Sequence, residues 1–198
     1  MIEIMKNSES LKQLFAGTGP FIGLNLAFFL LVGFSMPQKE SDIIYWNSQR
    51  FIQWSDFKGK YKSNQDSVTA MSYVGILIRK NTVGTLGVYS AFSKDKSWVD
   101  PNERTEDGLG HEQGHFDITE ICARKFRKYL LENKRIARSE KRVEKAYREF
   151  QITHLNLQSR YDRDTDHNRK EEERRKWKSL IEQELEALEA FKNPIINF

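Results

Sequence analysis

The sequence predicts an α+β fold, in which a small antiparallel β-sheet is followed by three long helices. Apolar and polar residues alternate from Val68 to Ile78, which is the period of a half-buried strand. A second β-rich run, residues 82–92, follows with Asn81 at the expected turn, and the two runs together predict an antiparallel hairpin. Residues 109–132 contain no proline and carry helix-forming residues, which indicates a helix downstream of the sheet.

The segments on either side of the hairpin complete this first half of the domain. Residues 43–46 (IIYW) predict a short strand, and residues 51–61 (FIQWSDFKGKY) predict a loop that its aromatic residues hold in place. Residues 93–108 are polar and lead into the first helix, with Asp107 as the expected N-cap.

Two further helices are expected after the first. Apolar residues recur close to a heptad spacing over residues 136–157. A polar break is predicted at residues 159–168, and a last helix at residues 169–191 carries an apolar stripe that includes Trp177 and Leu188. The charges of residues 169–178 (RKEEERRKWK) are typical of the solvated face of that helix.

Length and composition indicate one globular domain, which we place at residues 37–198. The chain has 198 residues, of which 38% are hydrophobic and 30% are charged, enough for one core. Its formal net charge of +4 comes from 32 basic and 28 acidic residues. Because basic and acidic residues are nearly equal in number, we expect no nucleic-acid partner. The single cysteine, Cys122, excludes an internal disulfide and a cysteine-rich metal site.

The first 36 residues are predicted to be a leader that is separate from the folded domain. Residues 20–36 are apolar and uncharged, and Lys6 and Lys12 precede them. The run is shorter than the roughly 20 residues of a membrane-spanning helix, and Gly33 and Ser35 suit a cleavage site. We expect a signal peptide, with an uncleaved membrane anchor as the alternative, so the domain is exported in both cases and a retained segment would associate with the membrane.

The motif HEQGH (residues 111–115) is the strongest indication of chemistry. His111 and His115 are four residues apart, so their directions on a helix differ by about 40° and both imidazoles can reach one Zn²⁺. Glu112 points about 100° away from His111, too far for a ligand, but within reach of a water at the metal as a general base. Gly114 is unfavourable inside a helix and predicts that another group approaches this face closely. The alternative is two surface histidines beside a salt-bridged glutamate.

A catalytic zinc takes three protein ligands and leaves a position for water, so a third ligand is needed. Glu120 lies about 180° from His111 around the helix and Asp117 about 120°, so neither can complete the site. The ligand must come from another element.

Two histidines and two carboxylates are the remaining candidates. His154 falls on the apolar seam of the second helix and is expected to be a packed core residue. His167 lies in the polar break, where a loop between rigid helices can present a ligand. The neighbouring carboxylates of Asp162, Asp164 and Asp166 could hydrogen-bond to that imidazole and orient it, and Asp164 or Asp166 could ligate instead.

Four separate segments resemble one family, a group of mostly exported bacterial proteins described as zinc-dependent proteases. The segments are WSDFKG (54–59), SWV (97–99), HEQGHFDITE (111–120) and RYDRDTDH (160–167). Their order and spacing fit the family, and the resemblance spans roughly residues 43–190. The combination of W-S-D-F-K-G with Y-D-x-x-T-x-H is much more specific than the central motif alone.

The resemblance implies a zincin-like peptidase with Zn²⁺ as its cofactor. His111 and His115 match the first two ligands of the family, Glu112 matches its base, and His167 matches the histidine of the Y-D-x-x-T-x-H element, a natural third ligand. The sequence departs from the family at Asn168, where glycine is expected, although asparagine tolerates a left-handed turn better than most residues.

The expected function is therefore that of an exported zinc metallopeptidase that cleaves a peptide or protein substrate. Tyr161 is a candidate for stabilising the oxyanion, with packing between helices as its more ordinary role, and an edge of the hairpin could hold an extended peptide. Two alternatives stay open at this point. One is a zinc-binding envelope scaffold or interaction protein without peptidase activity, and the other is a zinc amidase that acts on cell-wall peptide links.

Overall fold

A computed structural model of the chain describes residues 40–61, 68–80 and 84–198. The predicted α+β class, with a small antiparallel sheet before three long helices, is confirmed. The expected leader at residues 1–36 and the expected turn at Asn81 lie outside the described residues.

The strands of the described residues form two antiparallel sheets. They are β1 (Ile43–Tyr45), β2 (Ala70–Met71), β3 (Val74–Lys80), β4 (Thr85–Ser93), β5 (Trp98–Val99) and β6 (Ile195–Asn197). In the larger sheet, β3 pairs along one side of β4, while β1 and β6 share the other side. β2 and β5 pair separately. The predicted hairpin is thus β3–β4, and β6 is a strand that the sequence reasoning did not predict.

The run of alternating residues that starts at Val68 is not one strand, because it divides at Ser72 and Tyr73. The Ser72 N–H donates to the Glu112 carboxylate at 2.8 Å, and the Tyr73 N–H donates to Ser97 Oγ at 2.8 Å. Both amides bond to groups outside the two sheets, and the two strands on either side of this break therefore pair with different partners.

The helices are α1 (Glu106–Glu132), the short α2 (Lys134–Ala137), α3 (Glu140–Thr165) and α4 (Glu171–Ala187). The expected N-cap, Asp107, is wrong by two residues: Thr105 caps α1, because its side-chain oxygen accepts the Gly108 N–H at 3.0 Å. Within the part of the chain that the structure describes, no helix is both long and apolar enough to cross a membrane.

The predicted polar break is much shorter than expected, because α3 continues to Thr165. Leu157, Tyr161 and Thr165 recur at four-residue intervals and are all buried, so the helix keeps an inward face through this polar stretch. The helix ends where Asp166 adopts a left-handed conformation with φ 50°.

The core lies between the larger sheet and α1. Phe92 of β4 and Phe116 of α1 are fully buried, with ring centroids 5.9 Å apart. Phe57 packs its ring against Phe92 at 5.2 Å, which confirms that aromatic residues anchor the loop at residues 51–61. This packing places the N-terminal half of α1 under the loop and against the broken β2–β3 segment.

Candidate metal centre

The two histidines of the HEQGH motif meet on one face of α1, as predicted. The ring centroids of His111 and His115 are 4.7 Å apart, and the two Nε2 atoms are separated by 3.2 Å. Both side chains are largely buried, with 8% and 13% of their surface exposed. Their Nε2 atoms therefore converge at a position that is mostly shielded from water.

Asp162 of α3 supplies a third converging atom. Its Oδ1 lies 3.1 Å from His111 Nε2 and 2.9 Å from His115 Nε2. Together, His111, His115 and Asp162 are the group among the described residues whose donor atoms are close enough to hold one metal ion. The polar residues 159–168 predicted a loop at this position, in which Asp162 was only a neighbour of His167.

The spacing of the three atoms fits a tetrahedral metal. Three ligands bonded to one Zn²⁺ at 2.0–2.1 Å would be separated from one another by about 3.3 Å. The observed separations are 2.9, 3.1 and 3.2 Å. The donor chemistry fits as well, because two imidazoles and one carboxylate are ligands that zinc prefers.

Hydrogen bonding leaves a lone pair on His115 Nε2 when the ring is neutral. His115 Nδ1 is 2.5 Å from Oε1 of Gln158, and because an amide oxygen only accepts, Nδ1 carries the proton. The unprotonated Nε2 of a neutral ring would then face the Asp162 carboxylate, which is repulsive unless a positive charge lies between them. A proton or a metal cation can supply that charge.

The pKa shifts of these three residues also favour a positive charge beside the Asp162 carboxylate. Burial lowers the pKa of His115, but the Asp162 carboxylate outweighs burial and raises this pKa to about 9. Burial raises the pKa of Asp162, yet the two histidines hold it well below its usual range. For His111, burial dominates and lowers the pKa. The site thus combines a carboxylate that stays ionised with an imidazole, His115, whose positively charged form this carboxylate stabilises.

Glu112 lies beside the histidines and is oriented by the broken strand. Its side chain is buried, and its Oε2 accepts the Ser72 N–H at 2.8 Å. This bond explains why the strand breaks at Ser72, and it fixes one oxygen of the carboxylate.

The close approach that Gly114 predicted is made by Tyr161 of α3. A Cβ atom at position 114 would lie 2.8 Å from Tyr161 Cζ, closer than such atoms approach. The Tyr161 ring stacks on His111 with a centroid distance of 4.6 Å and an interplanar angle of 16°, and its edge meets His115. Tyr161 is therefore packed between the helices. Its possible role at an oxyanion stays a prediction.

His167 lies at the rim of the site. Its Nδ1 is 4.0 Å from Asp162 Oδ1, and 63% of its side chain is exposed. Asp166, His167 and Asn168 all have left-handed backbones, with φ of 50°, 49° and 77°, so Asn168 adopts the conformation that a glycine would take at this position. His167 does not belong to the group of three converging donor atoms, and its role as third ligand stays a prediction.

The other acidic candidates bond elsewhere. Asp164 accepts hydrogen bonds from Arg160 and Trp177, and Asp166 pairs with Arg169.

The two acidic residues of α1 that follow the motif point away from the histidines, as predicted. The Asp117 carboxylate accepts a hydrogen bond from the Trp46 indole, and Glu120 accepts hydrogen bonds from two buried arginines.

The segments that carry the family resemblance come together around α1. Gly59 donates its N–H to the Ser97 carbonyl at 2.7 Å, and a Cβ at position 59 would lie only 2.7 Å from that oxygen. The Trp54 indole donates to the Thr105 carbonyl at the start of α1, and the Ile52 N–H donates to Gln113 within the HEQGH motif. The loop thus braces the first turns of the helix that bears the histidines.

Comparison with known proteins finds a family model that is similar to part of the chain. Residues 91–168 match a family described as a bacterial protein of unknown function (DUF922). The matched region contains His111, Glu112, His115, Asp162 and His167. No curated protein and no solved structure matches the chain.

Proposed function

We propose that the protein is an exported zinc metallopeptidase that hydrolyses peptide bonds in a peptide or protein substrate. The observation that carries this proposal is the convergence of His111 Nε2, His115 Nε2 and Asp162 Oδ1 at 2.9–3.2 Å beside a buried glutamate. Two histidines and a carboxylate are a known ligand set of catalytic zinc sites, which keep one position open for water or substrate.

Asp162 is the third ligand that the geometry favours, and His167 is the other candidate. Asp162 already lies at ligand spacing from both imidazoles, whereas His167 would have to turn inward from an exposed position. Zn²⁺ bound here would polarise a carbonyl group and lower the pKa of a water.

Glu112 is the proposed general base. It follows His111 directly, so it stands beside the ligand face, and the Ser72 amide holds one of its oxygens. Its second oxygen can take a proton from the attacking water and pass this proton to the leaving amine. Burial of the carboxylate excludes competing water and strengthens its interaction with the reacting groups.

The outer side of β3 is the proposed position for the substrate backbone. Tyr73, directly before β3, accepts the Ser93 N–H with its carbonyl oxygen, so the backbone groups of alternate residues from Tyr73 onward point toward β4. The backbone groups of Val74 point to the opposite side, where the described residues contribute no further strand. On that side Val74 lies between Ser72, whose N–H bonds to Glu112, and Ile76, whose carbonyl bonds to Tyr147. An extended peptide that pairs at Val74 would run past the general base.

Export is proposed from the sequence of the leader, where an apolar run follows two lysines. An exported peptidase would act on substrates in the cell envelope or outside the cell. If the leader is retained, it would anchor the peptidase to the membrane.

The test compares the wild-type protein with Glu112→Gln. Glutamine keeps the size of the side chain and an oxygen that accepts the Ser72 amide, but it cannot take a proton. We expect one Zn²⁺ per chain in both proteins by elemental analysis, and cleavage of a mixed peptide library by the wild type alone.

Three other outcomes would count against the proposal in different ways. A zinc-loaded wild type that cleaves no peptide would favour a zinc-binding scaffold. Cleavage limited to cell-wall peptide links would favour an amidase. Equal cleavage by both proteins would exclude Glu112 as the base.

A further inference from the structure

We propose that Gln158 is a positioning residue that determines which nitrogen of the His115 ring carries the proton. His154 in turn fixes the orientation of the Gln158 amide through a hydrogen bond. The inference rests on the proposed function in one respect, that His115 is a metal ligand. Neither Gln158 nor His154 contacts the position of the metal, so both act through His115.

The orientation of the Gln158 amide is determined by a backbone carbonyl. Its Nε2 lies 2.9 Å from the His115 carbonyl oxygen, which can only accept a hydrogen bond. The nitrogen of the amide must therefore be on this side, and the oxygen Oε1 must be on the other side, toward the His115 ring.

That orientation determines which nitrogen of His115 is protonated. Oε1 of Gln158 is 2.5 Å from His115 Nδ1 and can only accept, so Nδ1 is the N–H of the ring. When the ring is neutral, its lone pair is on Nε2, the atom that faces His111 and Asp162. Gln158 thus presents His115 in the one neutral form that can bind a metal at this position.

His154 fixes Gln158 from the opposite side. The Gln158 amide nitrogen lies 2.8 Å from His154 Nε2, and because an amide nitrogen donates and does not accept, His154 Nε2 is the acceptor and carries no proton. The Thr119 hydroxyl completes the network: its oxygen accepts from Gln158 Nε2 at 3.0 Å, and its single proton goes either to His154 Nε2 or to the His115 carbonyl, each 2.9 Å away. The network returns to the residue from which it started, and all of it is buried or half-buried.

Such a network has a definite consequence for a metal ligand. Partners that hold the second nitrogen of a ligating histidine fix its ring orientation and raise its basicity, and their loss costs roughly 10–100-fold in metal affinity. The histidine that the sequence places on the α3 seam is therefore more than a packed core residue, because its unprotonated nitrogen is required by Gln158.

The test compares Gln158→Met with Gln151→Met by competition titration of Zn²⁺. Methionine retains most of the volume and removes the amide. Gln151 is a matched control, because it lies on the same helix and bonds to Tyr147 instead of a histidine of the site. We expect Gln158→Met to weaken zinc binding roughly 10–100-fold, with Gln151→Met close to the wild type.

A second measurement needs no variant. Long-range ¹H–¹⁵N NMR of the metal-free wild type at neutral pH should show that His154 carries its proton on Nδ1 and none on Nε2. In the zinc-loaded protein, His115 Nδ1 should be protonated.

The outcomes separate this inference from the proposed function. If the wild type binds zinc and Gln158→Met binds it as tightly as Gln151→Met, the positioning role is wrong. A proton on His154 Nε2 would overturn the network even if Gln158→Met fails to fold. If the wild type binds no zinc while His154 shows the expected tautomer, the proposed function fails and the hydrogen-bond network stands.

Discussion

Gly114 of α1 and Tyr161 of α3 lie in direct contact, and this contact sets how closely the two helices approach at the site. A Cβ at position 114 would lie 2.8 Å from Tyr161 Cζ. The residue after Tyr161 is Asp162, whose carboxylate meets His111 and His115. A glycine between the two histidines therefore allows the third ligand candidate to reach them.

Gly114→Ala should destabilise the protein and weaken zinc binding, although alanine is the better helix former. Alanine gains roughly 1 kcal/mol in helix propensity, but the Tyr161 ring is packed between His111 and Trp177 and has no room to retreat. Overpacking of this kind costs about 1–3 kcal/mol. Urea unfolding and zinc content would measure the two effects.

Gly110→Ala is the matched control for that substitution. Gly110 is on the same helix, and a Cβ there would meet no atom within 4 Å. We expect this variant to be as stable as the wild type or up to about 1 kcal/mol more stable. Equal gains for Gly110→Ala and Gly114→Ala would show that the contact with Tyr161 does not constrain the helices.

The identity of the third ligand can be settled by zinc stoichiometry. Asp162→Ala should abolish stoichiometric zinc binding, because it removes one of three converging donor atoms. His167→Ala should retain zinc if Asp162 is the ligand, since His167 is exposed at the rim. Asp164→Ala controls for the loss of a nearby carboxylate that bonds to Arg160 instead. Loss of zinc in His167→Ala, with zinc retained in Asp162→Ala, would establish His167 as the third ligand.

The sequence could predict the two histidines of the site because their relation depends on one helix alone. A four-residue separation on a regular helix fixes the directions of His111 and His115 wherever that helix packs. Gly114 likewise predicted a close approach to this face, although the group that makes the approach, Tyr161, lies 47 positions further along the chain.

Asp162 and Gln158 could not be found in the same way, because their roles depend on where α3 crosses α1. The polar residues from Ser159 to Asn168 indicated a loop, and only the buried series of Leu157, Tyr161 and Thr165 shows that the helix continues. That four-residue series was a signal in the sequence that the polar composition outweighed. The division of the β-run at Ser72 likewise depends on a distant partner, Glu112.

Arg127→Met should strongly destabilise the fold without removing the metal site. The Arg127 guanidinium is buried, pairs with Glu120 at 2.9 Å and donates to the carbonyls of Val88 and Phe191. Its loss leaves Glu120 partly uncompensated and removes the hydrogen bonds that link Val88 of β4 to Phe191 through this side chain, a change that typically costs about 3–5 kcal/mol. Denaturant unfolding would measure this cost.

An exposed ion pair provides the control for that prediction. Arg148 pairs with Glu144 on α3, and more than half of each side chain is exposed. Arg148→Met should change the free energy of unfolding by less than about 1 kcal/mol. Similar decreases in the free energy of unfolding for Arg127→Met and Arg148→Met would mean that the buried hydrogen bonds of Arg127 add no stability beyond that of an exposed ion pair.

The contribution of His154 to stability should fall as the pH drops from about 6.5 to 4, whereas Asp117, whose pKa is raised by burial to about 6, contributes in the opposite direction over part of this range. Burial lowers the pKa of His154, the neighbouring His115 adds to this effect, and together they bring the pKa to about 4. The unfolded chain binds a proton at this histidine near its ordinary pKa of about 6.5, whereas the folded protein binds it only near pH 4. Because the unfolded state holds more protons in this window, acidification favours unfolding, by about 2 kcal/mol between pH 7 and pH 5.

His154→Leu tests that cause by removing the ionisable group while filling a similar volume. The variant should be less stable than the wild type at pH 7, because the Gln158 amide loses its acceptor. Its free energy of unfolding should nevertheless decline less between pH 7 and pH 5, by about 2 kcal/mol. Urea unfolding of both metal-free proteins at several pH values would give the two curves. Parallel curves would mean that folding does not lower the pKa of His154, contrary to its burial and to the hydrogen bond that its Nε2 accepts from Gln158.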